Sequence, residues 1–217
     1  MVVESDRSID AVNKTLASLI NNNFDAMYVK DQEQALQKVL ELIPSRATVG
    51  AADSLTLKQI GVFAELERRG FKLFWPYDDR VPKSERRDVA RKALLVDVFL
   101  TGSNALTMDG KIVNVDASGN RVAGMIFGPK KAVVVVGVNK IVENVEKALE
   151  RIRDVAAPLN ARRIWEERGW ELLPCVKAGR CVDCSAENRI CNVTTIIEKK
   201  PRAIDVMIVI VGEKLGL

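Results

Sequence analysis

The chain has 217 residues and no histidine. That absence excludes Ser-His-Asp triads, Cys-His pairs and imidazole bases, so any proton transfer falls to carboxylates, Lys, Tyr, Cys or water. Cysteine is confined as well. All four cysteines lie in one stretch, Cys175-x5-Cys181-x2-Cys184-x6-Cys191, and any soft-metal site must be built from these thiolates. Long apolar runs are also missing. The longest, Ala132 to Val136 and Val206 to Val211, fall far short of the ~20 residues a membrane helix needs and read as buried strands. Met1 to Asp10 carries Glu4, Asp6 and Arg7 and lacks the apolar core of a signal peptide. Cytoplasmic residence without a membrane span is therefore expected. No internal repeat or low-complexity segment is seen.

The composition is that of a globular protein, with 47% hydrophobic residues and a mean hydropathy of +0.01. The simplest organisation is a single domain over residues 1–217, with a Cys-rich excursion at residues 174–192. The net charge is +4, and cations are interleaved with anions, as at Arg86, Arg87 and Asp88. This pattern suits solvated helix faces, and nucleic acid is not expected as a partner.

Apolar residues at three- and four-residue steps (Ile9, Val12, Leu16, Leu19, Ile20) predict a helix from about Ser5 to Asn21. Strands and helices then alternate. Strands are expected at Ala26–Lys30, Ala47–Ala51, Phe71–Trp75, Val96–Thr101 and Val133–Val136, and helices at Gln34–Ile43, Leu57–Arg69 and Lys83–Leu94. This order argues for an α/β fold, a mainly parallel sheet with helices on both faces. Asp109-Gly110 predicts a small inserted hairpin continuing through Lys111 to Asp116, and a short helix is expected near Val122 to Phe127. A long helix from Val142 to Ala156 should bend or break before Pro158 and resume from Asn160 to Arg168. After the Cys-rich excursion, Val193–Glu198 and Ala203–Val211 read as strands.

In an open parallel sheet, ligands bind beyond the carboxyl ends of the strands. Three polar loops fall there: Gly50 to Thr56, with Ser54 placed to cap the next helix; Thr101-Gly102-Ser103-Asn104; and Asn139-Lys140. Together they predict a pocket for a small anionic ligand, in which Gly50, Ser54, Thr56, Thr101, Gly102, Asn104, Asn120, Asn139 and Lys140 are the candidate binding residues. Asp53 and Asp116 are the candidate general bases. Taken singly, Ser54 is just as well a helix cap and Gly102 a turn residue.

The Cys175, Cys181, Cys184 and Cys191 set predicts a four-thiolate metal site, either a structural Zn²⁺ or a [4Fe–4S] cluster that carries electrons. The spacing matches neither the commonest zinc ribbon nor a bacterial ferredoxin run. The alternative is a set of buried or redox-active thiols, with a Cys181–Cys184 disulfide on oxidation.

Several segments resemble one family. Asp97-Val-Phe-Leu-Thr-Gly-Ser-Asn-Ala-Leu-Thr107, Gly110-Lys-Ile-Val-Asn-Val-Asp116, Gly119-Asn-Arg-Val-Ala123, Gly128-Pro-Lys-Lys131, Val136-Gly-Val-Asn-Lys140 and Arg151-Ile-Arg-Asp-Val-Ala-Ala-Pro158 look like the LUD family of lactate-utilisation proteins (LutC/YkgG-like), from about Ala26 to the C-terminal Gly212-Glu-Lys-Leu-Gly216. The resemblance implies a NagB/RpiA/CoA-transferase-like fold and a part in oxidising lactate to pyruvate beside iron–sulfur partner subunits. The ligand it implies is an organic acid, a sugar phosphate or a CoA ester, and a homodimer is a further expectation. The chain departs from better-known members in lacking a two-cluster ferredoxin-like extension. Two other readings stand beside this one: an isomerase or transferase acting on a sugar phosphate or CoA ester, with the cysteines purely structural, and a non-catalytic assembly module that uses Trp165 and Trp170. Fold by itself does not choose among them.

Overall fold

A computed structural model of the chain describes residues 2–217, with side chains described from Ile9 onward. The charges cited above for the N-terminal segment, on Glu4, Asp6 and Arg7, lie outside the described side chains. In chain order the main elements are α1 (Val2–Asn21), β1 (Asp25–Val29), α2 (Gln32–Glu41), β2 (Thr48–Ala51), α3 (Leu55–Gln59), α4 (Val62–Arg68), β3 (Lys72–Phe74), α5 (Arg86–Lys92), β4 (Val98–Gly102), β5 (Ala105–Thr107) and β6 (Ile112–Asp116). They continue with α6 (Asn120–Ile126), β7 (Lys131–Gly137), β8 (Ile141–Val142), α7 (Val145–Arg151), α8 (Ala157–Arg168), α9 (Pro174–Ala178), β9 (Val193–Ile197) and β10 (Asp205–Val211).

Six strands form one parallel sheet in the order β1-β10-β7-β4-β2-β3. The Val-rich strand β7 lies inside it, flanked by β10 and β4, and Val133 to Val136 are all 0% exposed. Successive side chains of a strand point to opposite faces. Val133 and Val135 accordingly enter a core with Val39, Leu57 and Leu66 of α2 to α4, while Val134 and Val136 enter a second core with Val12 and Leu19 of α1 and with Leu106 and Ile112. Both faces are thus buried, which is why the strand reads as an unbroken apolar run.

Leu106 and Ile112 belong to a second sheet of four strands, β8-β5-β6-β9. The hairpin expected at Asp109-Gly110 joins β5 to β6, and Gly110 takes a left-handed φ of 81° there. Its outer partner is β9, antiparallel to β6. This sheet shares one face of the large sheet with α1, and the crevice between the two sheets is where the polar loops meet.

Three predicted helices differ in the structure. Residues 57–69 are not one helix but two, because Gly61 (φ 74°) interrupts the chain with a conformation that L-residues disfavour. Residues 83–94 contract to α5 and a 3₁₀ turn at Ala93–Leu95. At Pro158 the chain does not break. A π turn at Ile152–Ala156 joins α7 to α8, and the Ala157 amide reaches back to the Ile152 carbonyl. Proline has no N–H, so the Arg153 carbonyl is left without a helical donor. The Cys181 amide takes it at 2.7 Å. The proline therefore supplies the point at which the cysteine segment is tied to the helix.

Candidate functional site

A cavity of about 150 Å³ opens at the carboxyl ends of β2, β4 and β7, walled on its far side by β6, α6 and α8. Its lining includes Asp53, Ser54, Thr56, Gly102, Asn104, Asp116, Asn120 and Lys140 from the predicted set. The three polar rims do converge.

Lys140 sits in a 3₁₀ turn that ends β7 and is only 5% exposed. Its Nζ donates to Thr56 Oγ1 at 3.2 Å, and among the described residues no carboxylate lies within 4.0 Å of it. Burial lowers its pKa from 10.5 to about 7, and the positive charges of Arg151 and Arg121 push the same way. Gly216 lies over it with φ at 65°, and a Cβ there would stand 2.6 Å from Nζ. The segment is pinned by Leu215 N donating to Asn139 Oδ1 (3.0 Å) and Gly216 N donating to Gln59 Oε1 (2.6 Å).

Asn104 organises the opposite wall. Its Oδ1 accepts from Val115 N and from Arg121 Nη2, both at 2.9 Å, and its carbonyl accepts from Arg151 Nη1 at 2.8 Å. The Arg121 Nε–H is buried without a partner among the described residues. Unsatisfied buried donors are rare in folded proteins, and this one belongs to a residue that lines the cavity. Ser54 Oγ caps α3 through Leu57 N at 3.3 Å, and a Cβ on Gly102 would come within 2.9 Å of that hydroxyl.

The two candidate bases are both engaged by neighbouring groups. Asp53 is held by Arg163 at 2.6 Å and by Arg168. Burial pushes its carboxyl up, but the two guanidinium groups outweigh that and hold it below the usual carboxylate range. Asp116 accepts the amides of Ala117 (3.2 Å), Arg121 (3.1 Å) and Val122 (3.4 Å), closing the N-terminal turn of α6. Asp53 Oδ2 takes both guanidinium groups while its Oδ1 is buried with no hydrogen-bond partner among the described residues, and both oxygens of Asp116 are taken up by backbone amides.

Three further assignments are corrected by their placement. Gly50 faces the Ala93 turn, where a Cβ would lie 2.5 Å from the Ala93 carbonyl, so glycine there permits close packing. Thr101 is fully buried and bonds the Gly102 carbonyl at 3.0 Å. Asn139 positions the C-terminal segment. None of the three lines the cavity.

The sequence reading did not single out Tyr77, Arg163 and Arg168, all of which line the cavity. The Arg168 guanidinium lies 4.2 Å from the Tyr77 ring centroid. Burial and the Asp53 charge raise the Tyr77 pKa. The Asn160, Arg163 and Glu167 spacing marks one polar helix face, but nothing local indicates that this face turns inward. The wall side chains comprise four cations (Arg121, Lys140, Arg163, Arg168) and two carboxylates (Asp53, Asp116), leaving an excess of positive charge.

The cysteine segment forms a small lobe against α8, with Cys175 buried among Ala161, Ile164, Leu173 and Ile190. Arg189 ties the loop together by donating to the carbonyls of Cys184 (2.6 Å) and Cys191 (3.1 Å). All four thiols are free. Burial raises the Cys175 pKa, and the other three cysteines add to that, so the four share one neighbourhood. Among the described residues, however, no three Cys, Asp or Glu side chains are assembled closely enough to hold a metal ion. Cys191 lines the cavity itself, so the lobe and the cavity share a wall.

The LUD domain family model matches residues 12–211. The chain belongs to the LUD-domain family, which is associated with lactate utilisation. Among solved structures it is similar to a DUF162 family protein from Deinococcus radiodurans, with a TM-score of 0.57, 14% identity, and coverage of 94% of this chain and 98% of that one. At that identity the likeness concerns the fold. No curated protein matches. Among the described residues of this LUD-domain protein, no helix is long and apolar enough to cross a membrane.

Proposed function

We propose that this LUD-domain protein takes part in the oxidation of a small organic acid, lactate to pyruvate, and that it holds the acid's carboxylate in the cavity at the strand ends. The observation that carries this reading is Lys140, a buried cation with no carboxylate within 4.0 Å among the described residues, in a cavity that Arg121 also lines. A buried charge without a counter-charge is costly. An anion that accepts from Lys140 removes that cost, which supports a negative ligand in this cavity. The cavity is smaller than the ~300–1,000 Å³ typical of drug-sized ligands, which favours a short acid over a CoA ester. Ser54, Thr56, Asn104 and Asn120 supply further hydrogen-bonding groups along the wall.

Removing two electrons and two protons from lactate requires an acceptor, and iron–sulfur partner subunits are the class proposed for it. The cysteine lobe is a separate arm of the proposal. Four thiolates chemically suit Zn²⁺ or a [4Fe–4S] cluster, but the arrangement described above does not meet ligation geometry. Metal analysis and an absorbance spectrum after anaerobic purification test this arm alone. For the ligand, thermal melting with lactate, pyruvate and a sugar phosphate is the direct test. Stabilisation by the acids, lost in a double Asn104→Ala, Lys140→Ala variant, is the expected result. Stabilisation by the sugar phosphate alone would move the reading to an isomerase or transferase.

A further inference from the structure

Charge alone does not account for the placement of Lys140. A lysine kept only to attract an anion does that best when it is fully protonated and partly solvated, yet this one is buried, with Arg121 and Arg151 adding positive charge nearby. Its only hydrogen-bond partner among the described residues is the Thr56 hydroxyl, 3.2 Å away. The consequence is a pKa of about 7. Near neutral pH, about half of the population is then an amine with a free lone pair, the form in which a lysine acts as a nucleophile toward carbonyl groups. Arg121, on the same cavity wall, supplies a positive charge for a carboxylate. A cation for a carboxylate together with a nucleophilic amine in one small cavity is the recognition chemistry of a carbonyl adjacent to an acid group.

We propose that Lys140 condenses with the carbonyl of a 2-oxo carboxylate and holds it as a protonated imine. The Nζ lone pair forms a bond to the carbonyl carbon while the C=O π pair moves to oxygen. One proton passes from nitrogen to that oxygen, and a second from solvent turns the hydroxyl into water. Water leaves as the nitrogen lone pair closes the C=N bond. Counted from the ammonium form, lysine and keto acid give the iminium and one water, with no net change in protons and no redox change. The bound species carries its positive charge on nitrogen next to the carbon that was the carbonyl, and Thr56 Oγ1 is placed to accept the remaining N–H. This inference rests on the reading of the cavity as an organic-acid site and adds to it the 2-oxo class and a covalent bond.

The test uses the intact protein with pyruvate as the probe. Sodium cyanoborohydride reduces an iminium to a stable secondary amine, and the adduct is located by peptide mass spectrometry. Labelling concentrated on Lys140, and reduced roughly tenfold or more in Lys140→Arg, is expected of a dedicated nucleophile. Lactate, which has no carbonyl, should compete without being trapped. If Lys140→Arg does not fold, Lys140→Met replaces it, and peptide mapping of the wild-type protein is decisive without either variant. Pyruvate-dependent thermal stabilisation without an adduct at Lys140, or an adduct spread over exposed lysines, overturns the imine and leaves the acid site standing. No binding of pyruvate in any form overturns both.

Discussion

The buried Lys140 makes a quantitative prediction about stability that needs no ligand. Its ordinary pKa is 10.5 and its folded value is about 7, a gap corresponding to about 5 kcal/mol at most. Below pH 7 the amine is protonated in both states, and the fold carries the full cost of burying the ammonium. Between pH 7 and 10.5 the unfolded chain keeps the proton that the folded one has released, so stability rises with pH by up to about 1.4 kcal/mol per pH unit. Above 10.5 both states are neutral and the cost is gone. Lys140→Met keeps most of the side-chain volume and removes the titration. The variant is expected to be more stable than wild type by roughly 2–5 kcal/mol near pH 6, with the difference shrinking to within about 1 kcal/mol near pH 10.5. Urea unfolding of both proteins across that range at fixed ionic strength measures it. Using the difference between two proteins cancels the titration of Tyr77, Asp53 and the other groups. A difference that stays constant within about 0.5 kcal/mol from pH 6 to 10.5 refutes the reasoning, because it means that Lys140 titrates alike in both states.

Asp53→Asn should destabilise the protein by about 3–5 kcal/mol in denaturant unfolding, since it leaves Arg168 buried beside a neutral group and Arg163 with Glu167 alone as its counter-charge. The Asp53 contribution is present above its ordinary pKa of 3.8 and is lost as pH falls through its lower folded value, so the variant should also show a shallower loss of stability in acid. Gly216→Ala meets Thr56 Oγ1 at 2.5 Å and Lys140 Nζ at 2.6 Å on a left-handed backbone; thermal shifts should show ligand stabilisation abolished with about 1–3 kcal/mol or less lost from the ligand-free protein. Pro158→Ala restores an amide that can claim the Arg153 carbonyl from Cys181; faster hydrogen exchange or proteolysis confined to residues 174–192 is the expected result.

The layered α/β plan was legible in the sequence because it rests on local regularities. The Val133 to Val136 run, the periodicity of α1 and the Asp109-Gly110 turn each report a backbone preference within a few residues. The convergence of the Ser54, Gly102 and Lys140 loops also followed, since parallel strands deliver their following loops to one edge. Roles did not follow. A carboxylate on a polar loop, such as Asp53 or Asp116, carries no record of its partners; Arg163 and Arg168 stand more than a hundred residues along the chain from Asp53.

By itself, then, the sequence determined the element order, the alternation that buries both faces of the sheet, the confinement of every thiol to one segment and the absence of any imidazole chemistry. Only the tertiary structure decided that β9 crosses back to pair with β6, that Pro158 and the π turn anchor the cysteine lobe, and that Lys140 is buried beneath Gly216 with no carboxylate within 4.0 Å among the described residues. The physical reason is one of range. Backbone preferences act between neighbours in the chain, whereas burial and charge are set by whatever the fold brings within a few ångströms, and the pKa of a lysine depends on the second kind of neighbour.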